Sequence, residues 1–323
     1  MNCLDCPRFC GADRTKSAGF CGEKDALRIA WAGLHFGEEP LLTVDGGSGT
    51  IFVSGCNLRC AFCQNYQISQ DGMGREISAE EFAEICLKLQ SAGAENINIV
   101  TGSHHARKIA DGLRLAKKRG LLIPICWNSS GYDSIESLEF LKDLVSIYLP
   151  DLKTLNENLS SSLFSAKDYP LTAKNSIQYL IKNFPLKIEE KNGKEKIVSG
   201  VIVRHLFLPG RFEETAEVLA WLKENADGKA IVSLMSQYTP VPFSEDEKKL
   251  EKRKKSLCAI ENRLVNKTED ADLRDLIDAY DFEYLFYQDL CADTEWLPDF
   301  EKTQPFQNKL ARPIWHWKTG FVD

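Results

Sequence analysis

The sequence predicts an α/β fold built on a parallel sheet whose outer face is covered by helices. Six runs rich in Val, Ile and Leu alternate along the chain with segments of helical period. Most of these runs are nearly continuous in apolar residues, which is typical of strands buried on both faces. The chain has 323 residues, 43% of them hydrophobic, enough to bury one large core.

The predicted strands and helices follow each other in a regular order. Strands are predicted at residues 49–55, 97–102, 121–131, 145–153, 197–210 and 229–238. Helices are predicted at residues 78–92, 104–120, 134–144, 172–183 and 214–226. Ser78 followed by Glu81 resembles a capping box, which marks the start of the first helix. Two stretches interrupt this order: a hairpin is predicted around the Asn192-Gly193 pair, and the charged residues 244–256 are predicted to form a solvated helix or a mobile loop.

Composition limits the function classes. The net charge is −7 and the pI is near 5.5, so there is no overall electrostatic footprint for DNA or RNA. No apolar run approaches the roughly 18 residues of a membrane span, and the polar N-terminus is unlike a signal peptide. The eleven cysteines favour thiolate ligands and buried thiols over a disulfide framework. We expect a cytoplasmic protein with no nucleic-acid or membrane partner.

Three cysteines, Cys56, Cys60 and Cys63, have CxxxCxxC spacing directly after the first predicted strand. Thiolates are the ligands of iron–sulfur clusters, and short spacers let one loop converge on one cluster. Three ligands leave one iron of a [4Fe–4S] cluster open to a small chelating molecule, as an open position does in catalytic zinc sites. Gly55 and Phe62 would help to shield the cluster. The alternative is part of a four-cysteine zinc or electron-transfer site.

A second group of cysteines lies at the N-terminus with C-x2-C-x3-C-x10-C spacing: Cys3, Cys6, Cys10 and Cys21. Four thiols within nineteen residues can complete a coordination sphere, so we predict a structural site for zinc or an auxiliary iron–sulfur cluster. Unliganded, reduced cysteines are the alternative. The remaining four are isolated and are expected to be small buried hydrophobes: Cys86, Cys126, Cys258 and Cys291.

Polar residues at strand ends are candidate binding residues, because sites in parallel barrels lie at the carboxyl ends of the strands. The candidates are Thr101, Gly102, Ser103, Asn128, Ser129, Asp151, Lys153, His205, Met235 and Gln237. Asp151 and Lys153 are two residues apart and point the same way, so they bind ligand or form a rim ion pair. Arg204 and His205 point to opposite faces, and a lone strand histidine is more often a core residue than a catalyst.

The stretch SGCNLRCAFCQNYQIS resembles the radical S-adenosylmethionine (SAM) superfamily. Together with HFGEEPLL, PDLK, VRHLFLPG, LMSQY and WLPDF it resembles the pyruvate formate-lyase activating-enzyme-like group, in the branch with an N-terminal CxxCPRxC module. The resemblance implies a partial (β/α)6 TIM-type barrel of the radical SAM type with a small Cys-rich module. Residues 1–40 would form the module, 41–242 the core, and 243–323 a charged segment and C-terminal extension.

The resemblance also implies a chemistry. Cys56, Cys60 and Cys63 would hold a [4Fe–4S] cluster, and SAM on its open iron would be cleaved reductively to methionine and a 5'-deoxyadenosyl radical. The radical would take hydrogen from an unidentified substrate such as a peptide or protein, and a flavodoxin or ferredoxin would supply the electron. The SAM amino group would lie near residues 101–103, its carboxylate and ribose near Asp151 and Lys153, and its adenine near the end of the sixth strand.

Three functions remain open at this stage. The first is a radical SAM enzyme acting on an unidentified substrate, and the second is an activase of a glycyl-radical enzyme. The third is a non-catalytic iron–sulfur electron carrier or scaffold, which would not need the polar strand ends. In glycyl-radical activases the third strand ends with an Asp and the sixth with a His. Here Asn128 and Gln237 stand in those places.

Overall fold

The computed structural model describes residues 3–191, 193–243, 247–290, 294, 297–307 and 309–322. Its strands in these ranges are β1 (Arg28–His35), β2 (Ser48–Val53), β3 (Arg75–Glu76), β4 (Ile97–Val100), β5 (Ile125–Ser129), β6 (Ile147–Pro150), β7 (Lys187–Lys191), β8 (Lys194–Leu206), β9 (Ile231–Met235), β10 (Leu285–Gln288), β11 (Ala311–His316) and β12 (Gly320–Phe321). Its α-helices are α1 (Tyr66–Ser69), α2 (Ala79–Ser91), α3 (Ala106–Lys118), α4 (Ile135–Leu141), α5 (Glu157–Phe164), α6 (Tyr169–Asn183), α7 (Phe212–Ala226), α8 (Glu247–Leu257) and α9 (Lys267–Tyr280). A 3-10 turn covers Ser103–His105.

The strands form one mixed sheet in the order β10-β9-β8-β6-β5-β4-β2-β1-β11-β12, with β3 on β1 and β7 on β8. From β2 to β10 each strand along this path is parallel to its neighbour. The six predicted strands are β2, β4, β5, β6, β8 and β9, and they are adjacent in the sheet in chain order. The predicted α/β fold with a parallel sheet is confirmed. The division into module, core and extension stays a prediction.

The predicted helices occur as α2, α3, α4, α6 and α7. Ser78 caps α2, since its side chain accepts the backbone N–H of Glu81. Helices α1 and α5 were missed: with four and eight residues they are too short for a clear period, although the Asn156 side chain caps α5. The third strand is shorter than predicted, because Pro124 lacks the backbone N–H that a central strand needs.

An antiparallel edge, which the sequence did not predict, extends the sheet beyond β2. Strand β1 pairs with β2 on one side and with β11 on the other. Gly33 permits this close approach, because a Cβ there would lie 2.4 Å from the Arg312 carbonyl oxygen. The fully buried Trp31 ring packs edge-on against Phe52 and Phe306. The C-terminal segment is therefore part of the sheet and of its core.

The two interrupting stretches form regular structure. The predicted hairpin is confirmed by the antiparallel pairing of β7 and β8, although Asn192 in its turn lies outside the described residues. The charged stretch forms helix α8 from residue 247 on, and residues 244–246 also lie outside the description.

Two isolated cysteines are buried as predicted and one is not. Cys86 and Cys126 are fully buried. The prediction for Cys258 was wrong: it is exposed, because its neighbours Leu257 and Ile260 take the inward positions after α8. Cys291 is outside the described residues, as is Trp296 of the WLPDF motif. Across the described ranges, none of the helices has the length and apolar character needed to cross a bilayer.

A buried carboxylate holds the loop before β2 to the hairpin strand β8. Glu95 accepts the backbone N–H groups of residues 44–46 at 2.7–3.0 Å and pairs with Lys196 at 2.5 Å. Both side chains are almost excluded from water. Burial alone would raise the pKa of Glu95, but these donors outweigh it and hold the pKa far below its usual range.

Replacing Glu95 by Gln is expected to destabilise the protein by about 3 kcal/mol at neutral pH, because Lys196 loses its charged partner. A carboxyl group whose pKa is lowered by folding stabilises the protein at pH values above the pKa of the same group in the unfolded chain, which is about 4.3 for Glu. This stabilisation is lost as the pH falls toward the lower pKa of the folded state. The free energy of unfolding of both proteins should be measured in urea between neutral and acidic pH. A difference that does not shrink in acid would contradict this account.

Candidate active site

A cavity of about 510 Å³ opens at the carboxyl ends of the parallel strands. Strands β2, β4, β5, β8, β9 and β10 contribute to its wall, together with Asp151 directly after β6, the cysteine loop after β2 and residues near the C-terminus. Seven predicted site residues line it: Cys60, Cys63, Asn128, Asp151, Lys153, Met235 and Gln237. The cavity is therefore where parallel-barrel sites are expected.

The cysteine loop is fixed at its start by Gly55. This residue has a φ of +80°, and a Cβ there would lie 2.3 Å from the Glu23 side chain and 2.9 Å from the Cys21 carbonyl oxygen. The Cys56 N–H donates to that same carbonyl at 3.2 Å. Only glycine fits this turn, which directs the chain from β2 into the cysteine loop.

The three thiols of the loop are mostly shielded from water. Cys56 and Cys60 are buried, and Cys63 is partly buried with its Sγ 3.3 Å from the Ser69 hydroxyl. Phe62 packs edge-on against Phe164 and Tyr238, with both ring centroids 5.9 Å away. Burial raises the pKa of Cys60 and of Cys63, so without a bound cation both would be neutral thiols.

This donor set fits an iron–sulfur cluster. Two of the thiols face the cavity, and soft sulfur on one short loop is what such clusters bind. In the part of the chain that the structure describes, no three His, Cys, Asp or Glu side chains converge as around a single metal ion. A cubane cluster instead takes each thiolate at a different iron.

A charged cluster faces the thiols across the cavity. Asp151 accepts from Lys153 Nζ at 2.5 Å and from Arg204 Nε at 3.0 Å, and Arg204 Nη2 also donates to Asn128 Oδ1 at 2.7 Å. Burial would raise the pKa of Asp151, but Arg204 and Lys153 outweigh it and lower the pKa. The group stays ionised and presents two cations and one anion to any ligand.

The segment after β4 lies beside the cavity rather than among its lining residues. Thr101 has a φ of +62°, a strained conformation for a β-branched residue, and its N–H donates to the Asn128 carbonyl at 2.9 Å. Gly102 packs against Trp127, because a Cβ there would lie 2.5 Å from that ring.

Asp133 is a buried carboxylate that the sequence analysis missed. It accepts hydrogen bonds from the hydroxyl of Ser103 at 2.6 Å and from the hydroxyl of Ser129 at 2.5 Å. Asp133 is buried, and burial raises its pKa against the effect of these hydrogen bonds. These two serines therefore brace the ends of β4 and β5. Their predicted role in binding SAM, like that of Thr101 and Gly102, stays a prediction.

His205 points away from the cavity, while Arg204 lines it, as strand alternation requires. Its Nδ1–H donates to the Leu152 carbonyl at 2.6 Å, and its Nε2 accepts from the Thr215 hydroxyl at 2.9 Å. Burial lowers the pKa of His205 to about 4, so the ring is neutral. Both ring nitrogens are used within the protein.

Several lining residues were missed because they come from outside the predicted strands. His35 ends β1 and pairs at 3.1 Å with Glu38, which follows the strand, while Phe306 and Leu310 come from the C-terminal segment. Burial would lower the pKa of His35, but Glu38 outweighs it and raises the pKa. The HFGEEP segment was the available sequence signal, although it does not reveal which strand ends it meets.

The N-terminal cysteines pack directly on the cysteine loop. Cys6 and Cys21 are buried, Cys3 is partly buried and Cys10 is exposed. A Cβ on Gly19 would lie 3.3 Å from the Cys10 Sγ and 3.5 Å from the Cys21 Sγ, so both thiols approach the same point. Burial raises the pKa of Cys6 to about 12. A metal at these four cysteines stays a prediction.

Two arginines fasten this segment to the barrel. Arg8 donates to the Asn57 carbonyl at 2.6 Å and lies 3.9 Å from the centre of the Phe20 ring. Arg14 is buried and donates to the His104 carbonyl at 2.6 Å. Charge-assisted hydrogen bonds of this kind are among the stronger ones, so the N-terminal cysteines have a fixed position beside the loop.

Comparison with known proteins identifies part of the chain. Residues 50–188 match the family model described as the Radical SAM superfamily. An uncharacterized protein of Methanocaldococcus jannaschii is 32% identical over 249 residues, which are 74% of this chain and 66% of that protein. The chain thus spans just under two thirds of this curated relative.

The fold also occurs in a solved structure. Streptococcus suis SuiB, crystallised with its precursor peptide SuiA, superposes with a TM-score of 0.50 at 15% identity, covering 73% of this chain and 47% of SuiB. This likeness is one of fold alone, and it agrees with the expected partial barrel. A domain of pyruvate-formate lyase-activating enzyme from Bacteroides vulgatus reaches a TM-score of only 0.37 at 9% identity, covering 57% of this chain and 92% of that domain.

Replacing Gly55 by Ala is expected to reduce cluster incorporation, because the added methyl group collides with Glu23 and the Cys21 carbonyl. Gly72 is a matched control: its φ is +78°, but a Cβ there meets nothing within 4 Å. Gly72→Ala should cost only the left-handed backbone strain of about 1–2 kcal/mol. Iron and sulfide content after anaerobic reconstitution and the melting temperature should be measured for both variants. Equal losses in the two would contradict a steric role for Gly55.

Proposed function

We propose that this chain, whose residues 50–188 form a radical SAM domain, is an enzyme that cleaves SAM reductively and uses the resulting radical to take hydrogen from a substrate. The observation that supports it best is the placement of Cys60 and Cys63 in the wall of a cavity whose other walls carry fixed charges. Cys56, Cys60 and Cys63 would hold a [4Fe–4S] cluster. With SAM bound, that cluster, reduced by one electron from an external carrier, would supply this electron for the cleavage of SAM to methionine and a 5'-deoxyadenosyl radical.

The residues of the cavity would bind and orient SAM and would exclude water. Lys153 and Arg204 offer cationic donors to the SAM carboxylate, and Asp151 keeps both in place. Phe62 and Phe52 give apolar walls, while Met235 and Gln237 line the side formed by β9. A partly apolar, recessed cavity protects a reactive radical from water and from side reactions.

We propose a peptide or protein segment as the substrate. Strand β10 ends beside the cavity at Gln288 and, in the described ranges, pairs only with β9. An edge strand presents backbone groups with which an extended peptide can pair. The peptide held by SuiB illustrates that a protein of this fold can accommodate such a ligand.

The narrower alternative is an activase of a glycyl-radical enzyme. It depends on the resemblance described above, and the cavity itself differs from that pattern. Asn128 occupies the place of the Asp and accepts from Arg204, and Gln237 stands where activases have a His. We therefore leave the partner unassigned. An auxiliary metal at the N-terminal cysteines is a further part of the proposal, supported by the position of the Cys10 and Cys21 thiols beside Gly19.

The assignment is tested by 5'-deoxyadenosine release from SAM after anaerobic reconstitution and reduction with dithionite. We expect release by the wild type and none by a Cys56→Ala, Cys60→Ala, Cys63→Ala variant. Cys258→Ala is the matched control, since this exposed thiol does not line the cavity and should leave release unchanged. A fully loaded wild type that neither binds nor cleaves SAM would instead favour an electron carrier or scaffold.

Lys153→Met should weaken SAM binding by roughly tenfold or more, because a hydrogen bond to a charged group contributes about 1.5–3 kcal/mol. Iron content should stay at the wild-type level, since Lys153 is not a thiolate ligand. The exposed Lys118 gives the control variant Lys118→Met. Equilibrium binding of SAM to the reconstituted proteins measures the effect. Unchanged affinity in Lys153→Met would remove this residue from the binding site.

A further inference from the structure

Helix α8 forms a concentrated basic surface on an acidic protein. Its eleven residues include six basic and two acidic side chains, whereas the whole chain has a net charge of −7. Five of the basic side chains are exposed: Lys248, Lys249, Lys252, Lys254 and Lys255. Local clusters of one sign steer oppositely charged partners even when the overall charge is unfavourable.

A groove of about 210 Å³ separates this helix from the cysteine loop. Lys249, Lys252 and Arg253 line it from the helix, and Arg59 and Ala61 line it from the loop. Phe20 of the N-terminal segment adds an aromatic face, and Asp71 is its acidic member. The groove thus joins an exposed basic surface to the backbone between the cysteines.

Arg253 connects the groove to the loop. Its guanidinium is buried, donates to the Ala61 carbonyl at 3.2 Å, and stacks 3.8 Å from the centre of the Phe243 ring. It also reaches the Gln70 side chain at 3.4 Å, and Gln70 in turn donates to the Cys60 carbonyl at 3.0 Å. Arg253 is therefore linked to the cysteine loop in two ways. It contacts the Ala61 carbonyl directly, and it reaches the carbonyl of Cys60, a proposed cluster ligand, through Gln70.

The groove and the cavity approach the loop from different sides. Cys60, Phe62 and Cys63 line the cavity. Arg59 and Ala61 line the groove and do not line the cavity. A molecule in the groove would leave the cavity free for SAM and substrate. This arrangement suits a partner that must act on the cluster while SAM is bound.

Resting on the function proposed above, we propose that the groove and the exposed lysines of α8 dock an acidic one-electron carrier protein of the flavodoxin or ferredoxin type. The carrier loses one electron and the cluster gains it, and no proton or group is transferred. Charge complementarity sets the encounter and its orientation. Arg59, Lys249 and Lys252 would meet the acidic rim of the carrier, which places its redox group near Ala61.

The test compares charge reversal in the groove with the same change elsewhere. Lys249→Glu/Lys252→Glu alters the proposed surface, and Lys118→Glu/Lys229→Glu changes the net charge equally at two exposed lysines that do not line the groove. The reconstituted full chain is titrated with an FMN-loaded flavodoxin and with a plant-type ferredoxin. Each reduced carrier is then mixed anaerobically with the protein, and reduction of the cluster is followed by the absorbance of the cluster. Dithionite serves as a small-molecule reductant in a parallel experiment.

We expect the groove variant to bind carrier about tenfold more weakly at low salt, with the difference lost at about 0.5 M salt, and the control pair to resemble wild type. Dithionite should reduce all three proteins equally. Lys249→Ala/Lys252→Ala should show a smaller loss of carrier affinity in the same direction. This graded response distinguishes an effect of charge from an effect of misfolding.

The proposal is overturned if wild type binds neither carrier, or if groove and control variants bind alike. It is also overturned if a single-stranded RNA occupies the groove more tightly than either carrier. Failure of the proposed function has a different signature: dithionite-reduced wild type, with its iron verified, would release no 5'-deoxyadenosine even though carrier binding follows the expected pattern.

Discussion

The turn at Gly55 is the constraint on which the rest of the site depends. There the chain leaves a buried strand and must pass between Glu23 and the Cys21 carbonyl with no room for a side chain. The cysteine loop that follows is held from three directions: by the N-terminal segment through Arg8, by α5 through the Leu163 carbonyl, and by α8 through Arg253. The loop can therefore keep one position while ligands bind to it.

The sequence predicted the parts of the fold that depend on local pattern. Several of the parallel strands are apolar runs, such as residues 147–150, and the first helix carries its cap in Ser78. Strand β1 was missed because Ala30, Ala32 and Gly33 are poor strand formers, and it is stabilised as a strand by partners on both sides. Tertiary pairing overrides local preference in such cases.

The site was predictable where one element supplies the residues. The thiol loop and the Asp151–Lys153 pair follow from spacing alone, since residues two apart in a strand share a face. Periodicity gives no information on which distant segments meet. It could not indicate that Asp133 gathers two serine hydroxyls, or that Glu38 reaches the same cavity as Arg204. His205 follows the rule that a strand histidine is more often a core residue.

The pairing of β1 with β11 has a consequence for how the protein reaches its folded state. These strands are widely separated in sequence, and contacts of that kind form slowly because a large loop must be closed first. Until β11 arrives, the free edge of β1 exposes the backbone beside Trp31, a site at which chains can associate wrongly. The aromatic wall of the cavity at Phe306 is completed only after this step. A newly made chain would therefore form most of its parallel sheet before the wall of the cavity is complete.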